Sequence, residues 1–296
     1  MEAVGYYQTG VSVSTQLRAE PTAVGVPPEV REVFIGASLL AASANVVMQL
    51  SSLPVGRGVA ESRVDSGRAD KHPIKRLRTT VGYLAVAAYG TDSELLALRR
   101  EVNRSHQQVH SRAGDPVAYN AFDPELQLWV AACLHKGGED LYRILHPTPD
   151  PTALDRFYHY NIRLATTLQV PAEMWPADRA AFERYWQQGV ERIKMDDVTR
   201  RYLQDLATVE FVTHRFGAAG KPIGALNAFF TIGFLPPAFR DELGLPWSPA
   251  RQRAFDALAP RLVRANSKLP TLLREFPYNL FRWDTKRRLN NGRAFV

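Results

Sequence analysis

The chain of 296 residues contains a single cysteine, Cys133, so it cannot form a disulfide within itself. The shortage of thiols also excludes zinc sites that need several cysteine ligands. Cys133 lies inside the apolar run 128–134, where a lone thiol is more often small core filler than a nucleophile. This cysteine usage is typical of a reducing compartment, and we expect a cytoplasmic protein.

Long apolar runs are also scarce. A helix that spans a bilayer needs about 20 predominantly apolar residues. The longest candidate, residues 33–50, is borderline in length and is interrupted by Ser38, Ser43, Asn45 and Gln49. The N-terminus shows no basic start followed by an apolar core, which a secretory signal would have. The sequence therefore predicts a buried core helix at 33–50 and no transmembrane segment.

Several motifs of familiar enzyme classes are missing. The sequence contains no phosphate-binding glycine loop, no dinucleotide fingerprint and no nucleophile elbow. It also lacks a Cys-x-x-Cys-His motif, so any haem would be held without a covalent bond. These absences argue against the common nucleotide-dependent and serine-hydrolase chemistries.

Basic residues outnumber acidic ones. The formal net charge of +7 and the pI near 9.6 permit acidic partners such as nucleic acid, anionic lipid or a cofactor with carboxylates. The lysines and arginines are scattered and no recognition motif accompanies them, so no specific nucleic-acid partner is expected. Hydrophobic residues make up 45% of the chain and charged residues 23%, which is ordinary for a globular protein.

Helical patterns follow one another along the chain, and no alternating strand pattern interrupts them. We predict an all-α fold. The expected organisation is an irregular arm at 1–26, a single helical domain at 27–281 and a basic C-terminal tail at 282–296. Whether the chain forms a homo-oligomer stays open.

Local signals mark individual helices. Pro27-Pro28 and Pro73 suit the first turns of two helices, and residues 53–70 are expected to form a structured loop. Thr91 and Glu94 predict a capping box that starts a third helix, which is expected to reach about Ser111. Asp123-Pro124 predicts the start of the next helix.

The third helix carries the most informative pattern. At helical spacing, Leu95, Leu98, Val102 and His106 fall on one apolar stripe. A neutral imidazole on such a face suits a haem iron as its proximal ligand, and a core histidine bonded to a carbonyl is the other interpretation. His110, four residues on, would allow a zinc or non-haem iron site with His106, although a solvated surface position suits it better.

The second helix brings two further candidates toward one face. Arg76 lies at the border of the face that Leu77 and Thr80 share. An arginine there would pair with a carboxylate such as a haem propionate, and the Thr80 hydroxyl would lie near an iron-bound ligand. The alternative is a basic helix start whose hydroxyl bonds back to a carbonyl one turn earlier.

Taken in order, several motifs resemble the family that includes the latex-clearing proteins (rubber oxygenases) and the oxygenase of mycophenolic acid biosynthesis. The resemblance spans roughly residues 30–280. The motifs that carry it are His72-Pro73, Arg76-x-x-x-Thr80, Gly90-Thr91, Val102-x-x-x-His106-x-x-Val109, Tyr119-x-Ala121-x-Asp123-Pro124, Leu128-Trp129-Val130, Gly233-Phe234-Leu235-Pro236 and the run from Arg240 to Trp247.

The resemblance implies a globin-like helical core that holds one haem b and uses dioxygen to cleave C=C bonds of prenyl-type chains. It assigns His106 as the iron ligand, Arg76 and Thr80 as residues beside the haem, and Thr80 as the catalytic candidate. Rubber oxygenases have a lysine immediately before that threonine, where this chain has Thr79. We therefore expect no lysine-ligated iron, and a small apolar metabolite rather than rubber as the substrate.

Two other functions stay open on the sequence alone. One is a haem protein without turnover, such as a gas sensor, which needs the same His106 and the same apolar pocket. The other is a cofactor-free helical scaffold whose basic surface binds nucleic acid or an anionic membrane. The haem-dependent oxygenase ranks first because of the resemblance.

Overall fold

The fold is described from a computed structural model that covers residues 25–62 and 71–292. Across these ranges the chain is helical and contains no strand, so the all-α prediction is confirmed, while a globin-like arrangement of the core stays a prediction. The predicted arm at 1–26 lies almost wholly outside the described residues. The α-helices are α1 (Pro28–Val33), α2 (Ala42–Leu50), α3 (Leu53–Ala60), α4 (Pro73–Tyr89), α5 (Asp92–His106), α6 (Pro124–Leu145), α7 (Pro151–Tyr160), α8 (Arg163–Thr166), α9 (Arg179–Glu191), α10 (Asp197–Ala207), α11 (Glu210–Phe216), α12 (Lys221–Phe234), α13 (Pro237–Leu243), α14 (Pro249–Ser267), α15 (Thr271–Arg274) and α16 (Tyr278–Asn290).

Side-chain caps begin the helices that the sequence predicts. Thr91 and Glu94 form the predicted capping box: Thr91 Oγ1 accepts from the Glu94 N–H, and the Glu94 carboxylate accepts from the Thr91 N–H at 2.9 Å. Asp123 accepts from the N–H of Glu125 at the start of α6. Each cap satisfies a backbone donor that the first turn of a helix leaves without a partner.

Two helix boundaries differ from the prediction. Residues 53–60 form α3 rather than a loop, with Pro54 in the first turn. Gly56 lies so close to the Leu50 carbonyl and the Thr199 side chain that a Cβ would collide with both. This glycine therefore allows close packing and does not mark a turn. Helix α5 ends at His106 and not near Ser111, because the chain turns there and His110 pairs with Asn120 in an isolated bridge.

The main core lies between α2, α6, α9 and α10. The rings of Trp129 and Trp186 stack with their centroids 5.4 Å apart, and Trp186 stacks in turn on Phe239. Gly189 leaves the space that the Trp129 ring fills. Aromatic side chains bury large apolar areas, so this stack anchors α9 on α6.

The segment predicted as a basic tail starts inside a helix. Helix α16 packs on α4 and α5, with Thr285 buried and Lys286 paired with Glu94 at 2.9 Å. The Arg282 guanidinium lies over the Tyr89 ring, 4.6 Å from its centroid. Residues 282–290 are therefore part of the helical body, because Arg282 and Lys286 pair with groups on α4 and α5.

Among the described residues, no single helix is long and apolar enough to cross a membrane. One pair, Gly36–Leu50 with Leu53–Ala60, passes the same test of length and composition when taken together, and is bent by 111°.

Candidate functional site

A partly open cavity of about 370 Å³ lies between α2, α4, α6 and the chain after α10. Its walls are mostly aliphatic and aromatic, which is typical of sites for apolar ligands. The side chains that line it include Val46, Leu50, Val59, Leu77, Val81, Leu84, Leu134, Leu141, Phe157, Leu164, Leu206, Val209 and Phe211. The predicted residues Arg76 and Thr80 are among its polar lining residues, which also include Asn45, Gln49, Asn161 and Arg163.

Arg76 brings an uncompensated charge to this cavity. Its guanidinium forms no hydrogen bond or ion pair with a described residue. The side chain of Arg76 is exposed in part and borders the cavity. The protein atoms around it lower the pKa of Arg76, against a smaller opposing effect of Tyr202. A cation without a protein partner at the edge of an apolar cavity is complementary to an anionic group.

Thr80 lines the same cavity, one turn after Arg76. The interpretation in which the hydroxyl bonds back to a carbonyl applies instead to Thr79, whose Oγ1 donates to the Arg76 carbonyl at 3.0 Å. Thr79 is buried and is not part of the cavity wall. The position that holds lysine in rubber oxygenases therefore supplies no polar group to this cavity.

His106 lies at the last residue of α5, on the predicted inward face. Leu98 on that face is fully buried, and Leu95 and Val102 pack beside it. The imidazole Nδ1 is buried without a hydrogen-bond partner, and the Phe122 ring approaches it edge-on at 6.2 Å. Burial, then the charge of Arg76, lowers the pKa of His106 to about 4, although hydrogen bonding with the Ala121 backbone opposes this. The imidazole is neutral at pH 7 and keeps a nitrogen lone pair or N–H free.

The structure brings Arg76 and Thr80 together, but it does not place His106 in the cavity wall. His106 is near enough to Arg76 for the two charges to interact when the imidazole is protonated. Two of the three predicted residues, both on α4, therefore line the cavity, and His106 at the end of α5 lies near Arg76 without lining it.

His110 does not join His106. Because α5 ends at His106, the two imidazoles are not stacked one helical turn apart. His110 is exposed, and its Nδ1 lies 3.1 Å from the Ser111 carbonyl. No group of three or more metal-binding side chains occurs within residues 25–62 and 71–292.

Several wall residues escaped the sequence reasoning. Tyr202 and Phe211 come from α10 and α11, and Tyr278 comes from the start of α16, more than a hundred residues from α4. Val209 also lines the cavity and has the left-handed values φ 43° and ψ 50°, which are strained for a β-branched residue. No sequence pattern could have revealed this backbone conformation of Val209.

The aromatic and proline-rich segment at 229–247 lies outside the cavity wall. Phe229, Phe230 and Phe234 pack with Phe255 and Trp247 in a cluster of their own. None of these five rings belongs to the cavity wall. Ordinary helix packing is therefore the correct interpretation of this segment.

A second buried histidine, His135, is part of the core. Asn161 Nδ2 lies 2.9 Å from its Nδ1, and four aromatic rings surround it, those of Phe157, Tyr158, Trp175 and Phe182. Burial lowers the pKa of His135 to about 4. Its ring is bonded and enclosed, so it has the role of a structural core histidine.

In the part of the chain that the structure describes, the fold is all-α and surrounds a largely apolar cavity bordered by Arg76, which has no partner there. The chain belongs to the family described as "ER-bound oxygenase mpaB/B'/Rubber oxygenase, catalytic domain", whose model matches residues 31–265. The family resemblance noted in the sequence is thereby confirmed, and the chain is a member of an oxygenase family.

Two relatives share most of the chain. The uncharacterized protein Rv2237 of Mycobacterium tuberculosis and the uncharacterized protein Mb2261 of Mycobacterium bovis are each 46% identical to it over 259 residues. That alignment covers 87% of this chain and 100% of each relative. No solved structure matches the chain significantly.

Proposed function

We propose that this protein is a haem-b-dependent oxygenase that acts with dioxygen on a small apolar, unsaturated metabolite and, by analogy with its family, cleaves a C=C bond. The observation that carries the proposal is the unpaired guanidinium of Arg76 in the wall of an apolar cavity. A cation in that position lowers the stability of the protein unless an anionic ligand compensates it.

Two features of the described residues support a haem, although His106 lies outside the cavity wall that Arg76 borders. Haem carries two carboxylates, which suit the planar donor set of Arg76. His106 offers a neutral imidazole whose Nδ1 has no partner, and a neutral ring is the form that binds iron. When bound, the haem would supply the activation of dioxygen. The buried, unsatisfied atom and the unpaired cation thus both match parts of the same group.

The other roles belong to the chain itself. The aliphatic wall excludes water and binds an apolar substrate by burying its surface. Thr80 offers a hydroxyl that can donate to or accept from a polar atom of the bound molecules. Arg163, in contrast, donates to the carbonyls of Ala87 and Gly90 and so fixes the end of α4 rather than binding a ligand.

The test is an absorption spectrum of the purified protein after expression with added haem precursor. We expect a Soret band in the parent that disappears or shifts in His106→Ala. His110→Ala is the matched control, because it removes an exposed histidine four residues away and leaves the spectrum unchanged. A parent without a Soret band after haem supplementation would overturn the proposal. Oxygen consumption with prenyl-chain substrates then separates an oxygenase from a haem protein without turnover.

A further inference from the structure

The C-terminal helices present an apolar patch to the outside of the molecule. We define this patch as Leu269, Leu272, Leu273, Phe276, Leu280 and Trp283. Leu272 is 78% exposed, Leu273 62% and Trp283 57%, and a group of such side chains, unlike a single one, indicates an interaction surface. Helix α15, which lies at the centre of the patch, buries none of its residues.

The patch is continuous in space as well as in sequence. Asn279 Nδ2 donates to the Leu272 carbonyl at 2.9 Å, which ties α16 to α15. The end of α14 and the start of α16 both meet the short helical turn at residues 36–41, through Asn266 with Ala37 and through Tyr278 with Ser38. The three helices therefore hold the six side chains in one region of the surface.

The outward direction of the patch follows from helical spacing. On α16, Tyr278 and Thr285 turn inward and are buried, so that Leu280, Trp283 and Arg287 occupy the opposite stripe. The Arg287 guanidinium lies 5.4 Å from the Trp283 ring centroid. A tryptophan with a cation over its ring combines an apolar body with a charged group, which suits an interface between water and an apolar phase.

The charge of the C-terminal residues 249–292 indicates which kind of partner would bind the patch. Residues 249–292 contain ten Lys and Arg but only three Asp and Glu, so this stretch carries as much net charge as the chain's whole +7. Arg261, Arg264, Lys268 and Arg287 are exposed in it. Apolar side chains surrounded by exposed cations with long aliphatic stems match the boundary of an anionic bilayer, where the stems reach the headgroups.

We propose that the patch and its surrounding cations dock this protein on the surface of an anionic membrane. The helices lie in the interface and do not cross it. Tyr278 of α16 and Leu77 of α4 line the cavity, so the docked face adjoins the walls of the ligand site. A substrate that partitions into the bilayer would thereby be concentrated next to the cavity, and this last step rests on the proposed oxygenase function, whereas docking itself does not.

Sedimentation with vesicles tests the proposal on the full-length protein, with and without added haem. We expect binding to vesicles of phosphatidylcholine and phosphatidylglycerol, and much weaker binding to phosphatidylcholine alone. Leu272→Ser should lower the partition coefficient about tenfold, since it removes the burial of one leucine. Lys268→Ser should lower it about fivefold, and added salt should lower it further. The control is Leu96→Ser, which changes a leucine of α5 that is 43% exposed, much like Leu269 at 42%.

Light scattering after size exclusion accompanies each variant. Because the changed residues are exposed, thermal unfolding is expected to remain within a few degrees of the parent. Absence of vesicle binding, or binding that Leu272→Ser and Trp283→Ser leave unchanged, overturns the proposal. An oligomer that Leu272→Ser converts to monomer, without vesicle binding, assigns the patch to a second copy of the chain and also overturns it. A missing Soret band would instead overturn the proposed function alone.

Discussion

Gln127 donates a hydrogen bond of 2.7 Å from its side-chain amide to the backbone carbonyl of Ala121, the residue whose backbone lies beside the His106 imidazole. The same amide donates to Gln169 Oε1 at 2.6 Å, and Gln169 donates to Asn103 Oδ1, one turn before His106, also at 2.6 Å. A ladder of three side-chain amides therefore connects α6, the chain after α8 and the end of α5. It holds both neighbours of His106, and we infer that it positions the imidazole.

Gln127→Leu should lower the free energy of unfolding by about 1–3 kcal/mol. The substitution roughly preserves the side-chain volume but leaves the Gln169 Oε1 and the Gln169 backbone N–H without their hydrogen-bond partners. A polar group left without a partner lowers the free energy of unfolding by about 1–3 kcal/mol. Urea unfolding measures the effect. The control is Gln187→Leu, because Gln187 makes an exposed hydrogen bond to Glu183 and its loss should stay within about 0.5 kcal/mol. Equal effects of the two substitutions would contradict the ladder's role.

Arg76→Met should change stability and haem affinity in opposite directions. The haem-free protein should become slightly more stable, by less than about 1 kcal/mol, because the guanidinium has no partner but solvent screens its exposed part. Haem affinity should fall at least about tenfold with the loss of a charge-assisted contact. Urea unfolding and haem titration measure the two effects.

Arg253→Met, at an exposed position on α14, should alter neither property and serves as the control for Arg76→Met. A destabilised haem-free Arg76→Met protein would show that the cation is compensated in solution. Unchanged haem affinity would remove Arg76 from the proposed cofactor site.

The sequence allowed much of this site to be predicted, and its limits have physical causes. Helix starts such as Thr91 and Asp123 are encoded locally, since a cap needs only a side chain and a backbone N–H two or three residues away. Helical periodicity likewise predicted that Arg76 and Thr80 share one face, and both line the cavity.

Tertiary contacts decide the features that the sequence left out. The end of α5 depends on the pairing of residues 109–111 with residues 119–121, which no helical pattern reveals. Tyr202 and Tyr278 reach the cavity only because distant helices pack around α4. His106 lies near Arg76 but does not line the cavity, and periodicity along a single helix could not predict that.

Stability should fall on acidification between pH 6.5 and about pH 4. The pKa of His135 is about 4 in the folded protein, and an unfolded histidine has a pKa of about 6.5. The unfolded chain thus binds a proton first as the pH falls through this range, which favours unfolding. Above pH 6.5 the contribution is complete and constant. His106, whose pKa is also about 4, acts in the same direction.

Urea unfolding at pH 7, 6 and 5 measures this dependence. His135→Gln, which removes one of the two titrating groups, should reduce the loss of stability between pH 7 and pH 5 by on the order of 1–2 kcal/mol. The comparison is of slopes and not of absolute stability, so it holds even if the variant is less stable at pH 7. Parallel pH profiles for the parent and His135→Gln would contradict a neutral, buried His135.

Val209→Gly should leave the free energy of unfolding unchanged or raise it, whereas Val212→Gly should lower it. Val209 has left-handed backbone values, which cost an L-residue about 1–2 kcal/mol and a glycine almost nothing. Release of this strain offsets the lost contact of the valine with the cavity.

Val212→Gly, three residues on in α11, places a glycine in ordinary helical backbone and should lower the free energy of unfolding by about 1 kcal/mol or more. The two variants should therefore differ by about 1–2 kcal/mol in urea unfolding, with Val209→Gly the more stable. Because α11 follows directly and Val209 borders the cavity, equal losses for both would mean that residues 209–216 take up another backbone conformation in solution, with a different cavity wall.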